Sequence, residues 1–228
     1  MRTIRLVVVT LLVTSAPISA QTPAPAVARV ELEVGGGLIG GAGLGARDAD
    51  LRANAQVPRP FRLFTAQSRF VRAPALLVRA AVPLGRSFGL EGGMTWGRPE
   101  IRTSLTADAE GAAPVASVER INQFVFDASL VWMLGTFRPG QRLVPFVSGG
   151  AGYLRQLHEG RTLVEHGQAY HVGGGIKYRL FTRTGRRGLV RSAGLRGDAR
   201  LQLLSGGIAF EEGPRPHAAI SGSLFVGF

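Results

Sequence analysis

The feature of this sequence that most limits its possible folds is a set of eight runs in which apolar residues alternate with small or polar ones. The runs cover residues 28–39, 74–84, 87–98, 119–134, 143–156, 168–181, 194–205 and 217–228. A period of two places successive side chains on opposite faces of a β-strand. Each run exceeds the roughly 9 to 11 residues that a membrane-crossing strand needs. The 32 glycines and 13 prolines among 228 residues disfavour long helices, so we predict an all-β protein.

The connections between these runs alternate in length. Long or polar connections follow the first, third, fifth and seventh runs, at residues 40–73, 99–118, 157–167 and 206–216. The connections after the second, fourth and sixth runs are mostly shorter, at residues 85–86, 135–142 and 182–193. This pattern predicts an eight-stranded antiparallel up-and-down transmembrane β-barrel with both termini at the end that has the short turns, which is the periplasmic end in such barrels.

The first 20 residues have the layout of a secretory signal peptide. Arg2 and Arg5 precede an apolar run at residues 6–13, and small residues lead to Ala20. The apolar run is too short to be a transmembrane helix. We predict a signal peptide at residues 1–20, a periplasmic Pro/Ala linker at residues 21–27 and the barrel at residues 28–228. Since the chain contains no cysteine, its stability must come from the sheet and not from disulfides.

The residue types on the two strand faces distinguish a membrane barrel from a soluble lipocalin-type barrel, in which the apolar face points inward. One face has large apolar side chains, with aromatic residues such as Phe88, Trp96, Phe124 and Trp132 near the strand ends. The other face is rich in Gly, Ala and Ser and contains the charged residues. Because an Arg or Lys facing lipid at mid-membrane costs about 2 to 4 kcal/mol, we predict that the apolar face contacts lipid.

Charged residues of both signs are predicted to point into the lumen. They are Glu31, Glu33, Arg79, Glu91, Asp127, Lys177, Arg179, Arg196, Asp198 and Arg200, five acids and five bases. Such residues either fill the lumen as a network of salt bridges or line a narrow channel for small solutes in which ion pairs exchange partners. Eight strands leave room inside only for side chains, which favours the filled lumen.

Four stretches, "VPFVSGGAGY", "HVGGGIKYRL", "GLRGDARLQL" and "ISGSLFVGF", resemble the small bacterial outer-membrane β-barrel family of OmpA-like and OmpX-like eight-stranded barrels. The resemblance covers residues 28–228. It implies a location in the cell outer membrane of a Gram-negative envelope, contact with outer-membrane lipid, and a structural or surface-interaction role.

The final strand supplies the most informative part of this resemblance. In the family, a last strand that ends in Phe after alternating apolar residues is read by the barrel-assembly machinery during insertion. Ile220, Leu224, Val226 and Phe228 occupy those positions, whereas Gly222 stands where the family often has an aromatic residue. Closure of the barrel would remove the long apolar edge that this strand otherwise exposes.

The connection at residues 40–73 is predicted to be a basic loop. Its candidate contacts for lipopolysaccharide phosphates are Arg52, Arg59, Arg62, Arg69 and Arg72, because a guanidinium binds phosphate through two parallel hydrogen bonds. A solvated loop without a ligand is the alternative. Although the net charge is +12, the basic residues are not interleaved with aromatic residues that stack on bases, so we expect no nucleic-acid partner.

An enzyme that modifies lipid A is the rival class, since some outer-membrane barrels resembling this one use a Ser with a neighbouring His. The histidines are His158, His166, His171 and His217, and the predicted strands pair none of them with a Ser on the lipid-facing side. A charged interior also suits an acyl chain poorly. The glycine runs lack the Lys and Ser/Thr of a phosphate loop, and no His or Cys spacing indicates a metal site. We therefore expect neither catalysis nor a cofactor.

Overall fold

The computed structural model describes residues 30–51, 61–85, 87–106, 116–135, 142–158, 163–182, 189–208 and 213–228, so the predicted signal peptide and linker lie outside the described residues. The described residues form eleven strands: β1 (Glu31–Ile39), β2 (Ala42–Leu51), β3 (Phe61–Phe70), β4 (Ala73–Leu84), β5 (Phe88–Gly97), β6 (Glu100–Thr106), β7 (Ala116–Met133), β8 (Leu143–His158), β9 (Val164–Thr182), β10 (Ser192–Gly206) and β11 (Arg215–Gly227). Within these ranges, no helix is long and apolar enough to cross a membrane.

Eight of these strands close into a barrel in the order β1, β4, β5, β7, β8, β9, β10, β11, with every neighbouring pair antiparallel. The ring closes between the first and last strands, where Glu31 pairs with Gly227. Beside them, the Phe228 amide donates a hydrogen bond of 3.0 Å to the Val30 carbonyl. The predicted all-β, eight-stranded antiparallel barrel is therefore confirmed.

The prediction that residues 40–73 and 99–118 form loops is corrected by the structure, which has strands in both ranges. Strands β2 and β3 occupy most of the first, and β6 with the start of β7 occupies parts of the second. Strand β2 pairs with β3, β3 with β6 and β6 with β7, so this four-stranded extension continues one wall of the barrel beyond the ring. The extension lies at the end opposite the start of β1 and the end of β11; we call the two ends the loop end and the termini end.

The outer surface of the barrel is an apolar belt. Alternate residues of every barrel strand point outward, and many are large and about half exposed, including Leu76 at 57%, Val172 at 60% and Leu224 at 54%. Aromatic pairs mark its two margins. Phe88 stacks on Trp132 toward the termini end and Trp96 stacks on Phe124 toward the loop end, with ring centroids 6.1 Å and 6.4 Å apart. Aromatic side chains at both margins of an apolar band are typical of membrane barrels.

Inward-facing glycines of β9 make room for the larger side chains of β10. Gly173 lies opposite Arg200 and Gly175 lies opposite Asp198 in the β9–β10 register. A Cβ atom on Gly175 would collide with the Gly197 carbonyl and the Asp198 side chain, so the two strands approach too closely for any side chain there. The glycine-rich second face of the sequence is thus the lining of a narrow lumen.

Candidate functional site

Three arginines at the centre of the lumen share a set of buried carboxylates. Arg79 of β4 lies 2.7 Å from Glu33 and 2.9 Å from Asp198. Arg196 of β10 lies 3.0 Å from Glu33, 2.5 Å from Glu91 and 3.2 Å from Asp198. Because β10 faces β1, β4 and β5 across the lumen, these ion pairs span the interior of the barrel. We call this set, together with Arg200 and Asp127, the central network.

Arg200 extends the network toward β7. Its guanidinium lies 2.9 Å from Glu91, 3.0 Å from Asp198 and 3.9 Å from Asp127. The arginine and carboxylate side chains of the central network are all at most 5% exposed. Full charges at this burial are tolerated only when they are paired and hydrogen-bonded, and the shared pairs meet that condition.

The remaining predicted lumen residues lie nearer the termini end. Lys177 and Glu31 form an ion pair of 2.5 Å, and Lys177 also lies over the Phe225 ring, 5.3 Å from its centroid. Arg179 is on the same inward face of β9 as Lys177. A cavity of about 240 Å³ opens beside these residues and reaches Glu91 of the central network. The ten predicted lumen residues therefore divide into a buried centre and a smaller group around this cavity.

Two apolar clusters lie in the half of the lumen toward the loop end, beside buried polar residues that include Gln202, Arg215 and His217. One buried cluster joins Leu44, Phe70, Ile101 and Ile121, with Ile208 packed against it. A second joins Val125, Leu154, Ala169 and Leu204. The first cluster was not predicted, because the sequence indicated loops where β2, β3 and β6 contribute Leu44, Phe70 and Ile101.

A layer of uncharged polar groups lies near these clusters. The Gln156 amide donates a hydrogen bond of 2.8 Å to Gln123, and the Gln156 carbonyl oxygen accepts one of 2.9 Å from the Ile208 amide. Both glutamines are at most 1% exposed. The central network, the two glutamines and the apolar clusters thus lie between the cavity at the termini end and the loop end. A smaller cavity, of about 30 Å³, lies beside Leu77, Arg79 and Gln202.

His171 and Ser129 form a pair that resembles part of a nucleophilic site. The Ser129 Oγ atom lies 3.0 Å from His171 Nε2, and the nearby Asp127 carboxylate accepts a hydrogen bond of 3.4 Å from the same hydroxyl. In a catalytic triad the carboxylate orients the histidine, whereas here it contacts the serine. Ser129 and His171 are only 2% and 8% exposed. This geometry suits a polar filling of the lumen better than attack on a lipid.

The other histidines make separate contacts. His158 lies 2.5 Å from Glu119, His166 contacts the Tyr153 hydroxyl, and His217 lies 3.2 Å from the Gly40 carbonyl oxygen. Among the residues that the structure describes, no three His, Asp or Glu side chains form a cluster that could hold a metal ion.

The arginines predicted to contact lipopolysaccharide are not brought together. Arg52 and Arg59 lie outside the described residues. Arg62 pairs with Asp48 at 2.6 Å, while Arg69 is exposed on β3 of the extension and Arg72 is exposed between β3 and β4. A stronger basic surface includes Arg98 and Arg102, which the prediction missed. The sequence could have predicted these two arginines, because they continue the outward-facing alternation of side chains that begins at Trp96.

The residues predicted as an assembly signal lie on the outer face of the closing strand. Ile220 and Leu224 are 57% and 54% exposed, and Val226 and Phe228 are partly buried. They belong to the apolar belt and point toward the surrounding medium. The belt, the aromatic margins, the closed antiparallel ring and the polar centre together define a transmembrane β-barrel of the outer-membrane type.

Comparison with known proteins gives structural likenesses of low sequence identity. Neisserial surface protein A is 11% identical, with 86% of this chain and 96% of that chain covered and a TM-score of 0.49. OprG of Pseudomonas aeruginosa is 11% identical over 87% of this chain and 95% of that one, with a TM-score of 0.47. The N-terminal β-barrel domain of OprF from the same organism is 16% identical over 88% and 98%, with a TM-score of 0.38. No protein-family model matches the chain, and no curated protein does.

Proposed function

We propose that this protein is a non-conducting, non-enzymatic barrel of the bacterial outer membrane with a structural or surface-interaction role. The observation that supports this role best is the filled lumen. Arg79, Arg196 and Arg200 cross the interior to four buried carboxylates, and apolar clusters close the loop end. An aqueous pore would require a continuous open path, and an acyl-modifying enzyme would require access to Ser129.

The proposed orientation follows from the two unequal ends. The start of β1, the end of β11 and the facing ends of β4 and β5 lie at the termini end, which we assign to the periplasm. The four-stranded extension then lies outside the cell, where it presents polar and basic side chains to partners. The central network gives the barrel a rigid interior, because each guanidinium is held by two or more carboxylates.

A narrow channel is the second candidate. The observation that favours it is the cavity of about 240 Å³, which joins the termini end to Glu91 and includes the charged groups Glu31, Lys177 and Arg179. Exchange of ion partners around Glu91 would have to extend this cavity past the apolar cluster and the buried glutamines toward the loop end.

The first experiment compares the mobility of the protein from outer-membrane fractions on an SDS gel with and without boiling. A closed membrane barrel should shift on boiling and should resist extraction at alkaline pH. A protein found free in the periplasmic fraction, without a shift, would contradict the membrane assignment and point to a soluble binding barrel.

The second experiment distinguishes the filled lumen from the channel by conductance in planar bilayers. We expect no discrete current steps from the heat-modifiable wild-type protein, with a boiled sample and an empty detergent sample as controls. Steps in the wild-type protein that disappear in Glu91→Gln would contradict the proposed role and establish the channel. An altered mass of lipid A on expression would instead establish an enzyme.

A further inference from the structure

A basic surface lies on the outside of the barrel immediately beyond the aromatic margin at the loop end. The side chains of Trp96, Arg98, Glu100 and Arg102 alternate outward along β5 and β6. Beside them on the neighbouring strands are further exposed arginines. We define the outer arginine patch as Arg69, Arg98, Arg102, Arg120 and Arg155, all of which are exposed.

Among the described residues of the patch and its ion pairs, basic side chains outnumber acidic ones. Glu100 accepts contacts of 3.4 Å from Arg102 and 3.3 Å from Arg120, so one carboxylate is shared by two of the five arginines. Arg69 lies directly opposite Arg102 in the β3–β6 register. Like charges placed directly opposite each other on one face of a sheet are destabilising. An anion between Arg69 and Arg102 would relieve this repulsion.

A groove of about 200 Å³ lies directly beneath the patch. Its lining includes Pro74, Leu76, Trp96 and Arg98, and apart from the guanidinium it is mainly apolar. The Trp96 indole N–H is buried and has no hydrogen-bond acceptor in the described part of the chain. A buried donor of this kind normally has a partner, so the groove offers one unsatisfied hydrogen bond beside an apolar surface.

These three features match the three parts of a phosphorylated lipid. An acyl chain fits the apolar groove, and guanidinium groups bind phosphate. An ester or amide carbonyl can accept from Trp96 Nε1 when the indole turns to uncover this buried donor. Arg98 and Arg102 are four residues apart along an extended strand, which separates their Cα atoms by roughly 13 Å. A head group with two phosphates can contact both ends of such a row at once, whereas a single phosphate would have to draw the two side chains together.

We propose that the outer arginine patch and the Trp96 groove form a binding site for lipopolysaccharide, with one phosphate near Arg98 and a second between Arg69 and Arg102. The site rests on the proposed function, because it requires the belt to be embedded in an outer membrane with the loop end outside. This site differs from the one predicted in the first loop, because its residues lie on or next to the strands β3, β5, β6, β7 and β8.

The test measures lipid adducts on the folded barrel in neutral detergent by native mass spectrometry, with diphosphoryl lipid A as the probe. Arg98→Gln combined with Arg102→Gln should weaken binding at least tenfold. Trp96→Phe keeps the aromatic ring but removes the N–H donor, and should weaken binding about threefold to tenfold. Monophosphoryl lipid A should bind the wild-type protein several times more weakly than the diphosphoryl form.

Arg142→Gln combined with Arg191→Gln is the matched control, since it removes the same charge at the termini end. It should leave lipid A binding within twofold of wild type. Equal losses in both double variants, or equal affinity for phosphatidylglycerol and diphosphoryl lipid A, would overturn the proposed site.

The boil-dependent gel shift is recorded for every sample, so that loss of the site is distinguished from loss of the barrel. A wild-type protein that shifts on boiling but does not bind lipid A refutes the site alone. A wild-type protein without a shift refutes the proposed function itself.

Discussion

Individual arginines in the lumen are shared between carboxylates and do not form isolated pairs. Arg196 contacts Glu33, Glu91 and Asp198, and its guanidinium also lies 4.4 Å from the centroid of the Phe146 ring. Removing one partner of a buried ion pair destabilises a protein more than replacing both partners by apolar residues. The reason is that the remaining charge is left without a counter-charge in a medium of low dielectric constant. The most sensitive single positions in this barrel should therefore be the shared arginines.

Arg196→Met tests this expectation at the residue level. The substitution keeps much of the side-chain volume but leaves three buried carboxylates with less positive charge, and should lower the free energy of unfolding by about 3 to 5 kcal/mol. Urea unfolding of the detergent-folded protein, followed by tryptophan fluorescence and by the gel shift, measures the change.

Arg62→Gln is the control for this substitution. The Arg62 side chain is 58% exposed and pairs with Asp48, so its loss should cost less than about 1 kcal/mol. Similar losses of unfolding free energy in the two variants would show that the buried ion pairs of Arg196 contribute no more to stability than the exposed pair of Arg62.

The inward direction of these charged residues could be predicted from the sequence, but their partners could not. A period of two assigns each side chain to a face, and that is sufficient to place Arg79 and Asp198 in one lumen. The 2.9 Å contact between them depends on how strongly the strands tilt and on their relative register around the ring. Neither quantity is encoded in the alternation of a single strand.

At the scale of the strands, the extension is the part that sequence reasoning missed. Strands β2, with sequence AGLGARDADL, and β3, with FRLFTAQSRF, have polar or small residues on both faces, so their apolar alternation is weak. Register shifts at Gly43/Gly45 and Ala49/Asp50 interrupt the alternation further. The eight barrel runs were predictable because lipid on one side and a narrow lumen on the other impose opposite residue types. The extension has no such contrast.

The ring does not require the β2–β3 hairpin for closure, because β1 and β4 pair directly up to Ile39 and Ala73. A variant that joins Gly41 to Val71 leaves a four-residue turn between these partners. We expect it to insert into the outer membrane and to keep its boil-dependent shift, with a reduced unfolding midpoint since Leu44 and Phe70 are lost from the apolar cluster.

Gel mobility and urea unfolding of this shortened chain measure both effects. The full-length Leu44→Ala variant is a suitable comparison, because it perturbs the same cluster without removing a strand. A shortened chain that never shows the shift would mean that the hairpin is needed to form the ring.

At the scale of the whole molecule, the barrel is closed by its two most distant strands. The β1–β11 pairing runs from Glu31 with Gly227 to Ile39 with Ala219. Phe228 lies just beyond this seam, on the outer face, where it is only partly buried. Its side chain therefore contributes little packing to the finished barrel.

Deletion of Phe228 should separate stability from assembly. We expect the truncated protein to refold in detergent with a free energy of unfolding within about 1 kcal/mol of wild type, as for other exposed side chains. In cells, we expect the heat-modifiable fraction in the outer membrane to fall at least fivefold, measured by immunoblot of unboiled samples.

Phe181→Ala is the matched control, because Phe181 is also an aromatic residue near a strand end and is 50% exposed. It should insert normally. Equal insertion of the truncated and wild-type chains would exclude Phe228 from the assembly signal.

The outermost strand of the extension affects whether neighbouring molecules at the cell surface pair with one another. Strand β2 is the edge of the four-stranded sheet, and open edges promote strand pairing and aggregation between molecules. Its two register shifts and the charges of Asp48 and Asp50 lie along that edge. Such irregularities and charges disfavour pairing in register with a neighbouring copy, so densely packed barrels can expose this sheet without joining into continuous sheets.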